Sequence, residues 1–165
     1  MFCILTDKLP TTVSVGGEQY TIDTRTSTAL NCIRKLRENI PEEFKQMYVV
    51  KRLGLPAHGI AGAFEFLSGP NKPKGKGKAS YDYFQDSSLI YGAFQQSYGL
   101  DLDEVTTMHW WRFLALLEAI PADTRFMEVI GIRTMEIDPK DSPEVRTKKM
   151  RAKAAVALHS DKGGW

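Results

Sequence analysis

Cysteine and histidine, the residues that most often carry metal and nucleophilic chemistry, are scarce in this chain. It has 2 cysteines and 3 histidines among 165 residues. Cys3 and Cys32 form no close pair that could begin a zinc site, and two cysteines make no disulfide framework, so a reducing compartment is the default. Neither cysteine lies near His58, His109 or His159 in sequence. The plain expectation is that the cysteines are small apolar fillers, that His109 is half-buried and hydrogen-bonded beside Trp110, and that the chain is not an enzyme. Long apolar runs are also missing. Met1 to Leu5 gives way to Thr6-Asp7-Lys8, too short for a signal-peptide core, and nothing approaches the ~20 residues of a membrane span. The expected setting is cytoplasmic, with no membrane partner. The net charge of +2 excludes a strongly basic or acidic binding protein of the kind that charge alone can identify.

The remaining composition is that of a folding chain, 42% hydrophobic and 25% charged. Its length suits one domain. The positive charge is local: Lys72, Lys74, Lys76 and Lys78 cluster in one glycine- and proline-rich stretch, and seven basic against three acidic residues lie from Lys140 to Lys162. These could meet phosphates, but no aromatic residue interleaves with them to form a stacking platform, so nucleic acid is not the expected partner. The glycine and lysine spacing also fails the phosphate-loop pattern, and Asp101, Asp103 and Glu104 lack the glycine and later glutamate of a calcium loop. No cofactor and no metal are expected.

Periodicity orders the elements. Thr12 to Val15 and Glu18 to Ile22 alternate on either side of Gly16-Gly17, which predicts a hairpin within residues 1–25. Helical spacing begins at Thr26, resumes after Pro41-Glu42-Glu43, and returns from about Pro56 to Leu67. Residues 70–80 have almost nothing to bury and are expected to form a mobile loop. Beyond it, Tyr83, Ile90, Phe94 and Tyr98 mark a helix ended by Gly99, with Gln85 and Asp86 on its polar surface. A second helix, capped by Asp103 and running to about Ala119, is apolar nearly all round. A third is capped by Asp123. The last, within 142–159, starts at Ser142-Pro143-Glu144, with Arg146, Lys149 and Lys153 on one face. The fold class is therefore mainly α, a single-domain helical bundle with a short N-terminal β-hairpin and a core in 81–137.

Several runs add a likeness to this pattern: Leu5-Thr6-Asp7-Lys8-Leu9-Pro10, Tyr81-Asp82-Tyr83-Phe84-Gln85-Asp86, Tyr98-Gly99-Leu100-Asp101-Leu102, Met108-His109-Trp110-Trp111-Arg112-Phe113 and Phe126 to Arg133. Through them the chain resembles the bacteriophage gene-product-fifteen-like family of small tailed-phage (siphophage-type) tail-assembly proteins. The resemblance implies a role in tail morphogenesis in the host cytoplasm, as an assembly chaperone for the tape-measure protein. The tail-tube protein and a second copy of the chain are further candidate partners, and a structural virion component, a connector or tail-completion subunit, is the alternative. A tape measure is a very long helical chain whose apolar stripes need cover before the tube forms. A helical partner could supply it through Phe94, Trp110, Trp111, Arg146, Lys149 and Lys153, although packing in the core is the first explanation for the aromatic residues.

Overall fold

A computed structural model describes residues 7–70 and 80–159, so the expected lysine loop at 72–78 and the C-terminal glycines lie outside the described residues. Among those described, the chain forms eight helices and one two-stranded antiparallel sheet. Its contacts divide into two compact units, where the length suggests a single domain. The first takes residues from the N-terminal part and from 101–118, and the second those from 80–100 and 119–159.

The first unit begins with strands β1 (Thr12–Val15) and β2 (Glu18–Thr21), paired with Val13 opposite Tyr20 and Val15 opposite Glu18. Gly16 and Gly17 both have positive φ, 62° and 91°, as a two-residue turn with the strands' own twist requires. The hairpin packs on α3 (Ile60–Ser68), where Gly62 comes so close to Val13 that a Cβ would collide with it. This contact supplies the apolar support that an isolated hairpin needs. Helices α1 (Thr26–Leu36) and α2 (Glu42–Leu53) pack on each other, burying Ala29, Cys32 and Ile33 from one and Val49, Val50 and Leu53 from the other. Burial pushes the Cys32 thiol up to about 12, so it stays protonated and serves as a small apolar filler. Asp23 accepts from Arg25 and from the Thr28 hydroxyl, which holds its carboxyl well below the usual range.

The single long helix expected from 103 to 119 is two helices, α5 (Leu102–Thr107) and α6 (Trp110–Glu118). Backbone bonds to a distant segment break it. Thr26 N donates to Met108 O at 2.9 Å, Trp110 N donates to Thr24 O at 2.7 Å, and Arg25 bridges to His109. Met108 is extended in consequence, with ψ near 159°. The cap of α5 is Asp101, not Asp103: its carboxylate accepts from Glu104 N at 2.8 Å while Glu104 accepts from Asp101 N at 2.9 Å, a complete capping box.

In the second unit α4 (Ser87–Tyr98) packs on α7 (Arg125–Thr134), and α8 (Pro143–Ala155) packs on α7. Gly99 ends α4 in the left-handed region. Ile90, Ala93 and Phe94 are buried on one helix, Phe126 and Val129 on the other. Thr124 rather than Asp123 caps α7, accepting from Met127 N at 3.3 Å. Ser142 caps α8 with Pro143 in its first turn, as the sequence predicts.

Asp86, expected on the polar surface, is 3% exposed. Arg133 grips it bidentately, with Nη1 2.7 Å from one oxygen and Nη2 2.8 Å from the other. The same guanidinium donates to the carbonyls of Val156 at 2.5 Å and Ser80 at 3.2 Å. A planar fork of donors therefore ties the start of the unit to the segment after α8. Gln85 makes a second tie, donating to His159 O at 2.9 Å and accepting from His159 N at 2.8 Å.

Candidate protein-binding surfaces

The His109-Trp110-Trp111 run is bound into the first unit by every polar group it carries on a ring. Trp110 is 1% exposed, stacks on Phe113 with centroids 5.4 Å apart, and donates its indole N–H to Leu67 O at 2.9 Å. Trp111 is half-buried, stacks on Phe66, and donates to Phe66 O at 2.8 Å. Both carbonyls belong to the last turn of α3, whose final C=O groups have no partner within the helix. The paired tryptophans therefore act as side-chain caps on that helix.

His109 completes the arrangement. Its Nδ1 accepts from Trp111 N at 3.1 Å and its Nε2 lies 2.9 Å from Pro10 O, a pattern satisfied by the neutral ring with its proton on Nε2. Burial pushes its pKa below the usual 6.5, outweighing the opposite pull of the Pro10 carbonyl. A base with a depressed folded pKa stays neutral while the unfolded chain takes up a proton. Its contribution to stability is therefore full above pH 6.5 and declines as the pH falls from there toward the folded value. Thermal unfolding followed from about pH 8 to about pH 5 should show a loss of stability in the wild type that His109→Gln reduces. Parallel pH profiles for the two proteins would rule out this origin.

Phe94 is fully buried and meets Tyr98 edge-on at 5.6 Å. Phe94 and Trp110 are thus core residues that offer a partner no surface, which corrects their candidacy. The three basic candidates on α8 also differ from expectation. Lys149 reaches Asp141 at 2.5 Å, and Lys153 donates to Met135 O at 2.6 Å, just past the end of α7, where the helix dipole favours a cation. Both lysines hold α8 in place. Arg146 is half-buried, and its charge helps the Lys149 ion pair hold the Asp141 carboxyl below its usual range.

What α8 turns outward is different. None of its residues is buried, and Pro143, Thr147, Met150 and Ala154, spaced as one helix face, are all exposed, Met150 at 52%. Lys148 and Arg151 flank them and line an open recess with Pro143, Glu144 and Thr147. A second exposed apolar stripe lies on α2 and just before it: Ile40 at 37%, Phe44 at 59% and Met47 at 56%. Sequence reading did not single out either surface. The available signal was that Phe44 and Met47 lie on the face of α2 opposite Val49 and Leu53, beyond what one core-facing stripe needs.

Among the described residues no group of three or more His, Cys, Asp and Glu gathers in a way that could hold a metal ion, and no helix is long and apolar enough to cross a membrane. The features that stand out in this mainly helical chain are packed aromatic caps and exposed helix faces on α2 and α8. Residues 65–158, more than half of the chain, match the family described as Bacteriophage Gp15 protein, and the chain belongs to that family. It is accordingly a phage structural or morphogenesis protein. No curated protein and no solved structure matches it.

Proposed function

We propose that the chain is a non-enzymatic tail-assembly chaperone that acts in the host cytoplasm by covering apolar stripes of the tape-measure protein with the outer face of α8. The observation that carries this reading is the exposure of that helix within the matched segment. Its thirteen residues include none that is buried, and two lysines anchor it from behind. Met150, with Pro143 and Ala154 along the same face, can seat on an apolar stripe while Lys148 and Arg151 meet acidic residues flanking it. This is helix-on-helix recognition with a basic rim. Tape-measure proteins are long helical chains, so a short exposed helix that carries an apolar contact beside basic residues is a suitable complement.

Co-expression with the tape-measure protein tests the proposal. The wild type should raise the soluble fraction of the tape measure and co-purify with it, and Met150→Asp combined with Arg151→Glu should abolish both effects while leaving the fold intact. Unchanged solubility with and without this protein would overturn the reading. Stoichiometric copies in purified mature particles would instead favour a permanent connector or tail-completion subunit, because chaperones leave.

A further inference from the structure

The stripe on α2 lies outside the segment matched by the family, so its use need not be the one proposed for α8. Phe44 and Met47 are three residues apart and share the outward face, with Ile40 at its N-terminal end. The exposed Glu43 lies four residues before Met47 and the exposed Lys51 four residues after it, on the same side of the helix. Glu42 and Glu43 sit in the first turn of α2 and Lys51 and Arg52 in its last, while Lys45, the remaining basic residue of the helix, is paired with Glu42 at 3.3 Å and leaves Glu43 as the first-turn acid on the Met47 side. A helix of this kind is complementary to itself when reversed. With a two-fold axis at Met47, Glu43 of one copy stands level with Lys51 of the other, and the same pair forms again on the far side. Met47 then closes on its counterpart between the two charge pairs, with Phe44 of each copy flanking that contact on either side.

We propose that α2 is the contact of a symmetric antiparallel dimer in which a second copy of this chain covers Ile40, Phe44 and Met47. The contact is isologous, so it closes at two copies and does not propagate into a filament. Three apolar residues a side make a small interface, which places the dimer in the weak, concentration-dependent class. A different protein seated on the same stripe would not require the match between Glu43 and Lys51.

Sedimentation equilibrium of the full chain from low to high micromolar concentration tests the dimer. The wild type should pass from monomer to dimer, and Phe44→Glu with Met47→Glu should remain monomeric. Both positions are exposed, and circular dichroism will verify that the variant is folded. The decisive measurement is the charge exchange. Glu43→Lys should weaken the dimer about tenfold, since each copy then presents lysine to lysine, and adding Lys51→Glu should restore it. A wild type monomeric throughout would overturn the proposal. So would a dimer unaffected by Phe44→Glu with Met47→Glu, or a double exchange as weak as Glu43→Lys alone.

Discussion

Arg133→Met will unfold the protein at markedly lower urea concentration, with a loss of about 3–5 kcal/mol, the range for removing one partner of a buried ion pair. Asp86 is 3% exposed and its two oxygens meet the guanidinium at 2.7 and 2.8 Å. Without Arg133 the carboxylate keeps a bond from Asp82 N at 2.9 Å but loses its counter-charge, while the carbonyls of Ser80 and Val156 lose a donor. A double variant separates charge from packing. Asp86→Asn with Arg133→Met removes both charges together and should cost less than Arg133→Met alone, because no isolated buried charge remains. Equal losses for the single and double variants would show that the long arginine stem, rather than the pair, carries the stabilisation.

Trp110→Ala should cost a similar amount, about 3–5 kcal/mol, the range for truncating a buried aromatic ring. The side chain is 1% exposed, stacks on Phe113 and caps Leu67 O. Trp110→Phe keeps most of the ring contact and loses the indole N–H, leaving a buried carbonyl without its donor at a cost of about 1–3 kcal/mol. Trp111→Ala, at a half-buried position, should cost less than Trp110→Ala. Chemical denaturation monitored by circular dichroism ranks the three. If Trp111→Ala proves the most damaging, the assignment of Trp110 as the core residue of the pair is wrong.

These two sites show where sequence reading succeeds and where it stops. The hairpin is legible because Gly16-Gly17 and the alternation around it are local, and the start of α8 because Ser142-Pro143-Glu144 specifies a helix end within three residues. The cap at Asp101 was legible too, since an aspartate followed three residues later by glutamate is the capping-box pattern, and Asp103 competed only by proximity. The break at Met108–His109 is different. It is imposed by Thr24, Arg25 and Thr26, more than 80 positions earlier, and no periodicity within 103–119 reports a backbone bond to them. Asp86 is hidden for the same reason, because its partner is 47 residues away and its neighbours are polar.

On α8 the sequence suggests lysines outward and apolar residues inward. The apolar face is thin, and the ammonium groups of Lys149 and Lys153 turn to carboxylate and carbonyl oxygens at the base of the helix. Of the candidate surface, only the helix that bears it could be read from the sequence. The two tryptophans, recognisable as a motif without an evident reason, gain one from α3: Trp110 meets the Leu67 carbonyl at the helix end, and Trp111 adds a second donor to the Phe66 carbonyl, which also accepts from Gly69 N.

The division of the first unit between the N-terminal part and 101–118 also sets an order on synthesis. The ribosome makes β1 through α3 first, then α4 of the other unit, and only afterwards Met108, Trp110 and Phe113. Until those residues emerge, the last turn of α3 lacks its indole donors and Thr26 lacks its backbone acceptor at Met108. The nascent N-terminal unit therefore waits, incomplete, while later sequence is translated, and its closure depends on long-range contacts that form slowly. A gene fragment ending before residue 101 would encode only part of that unit.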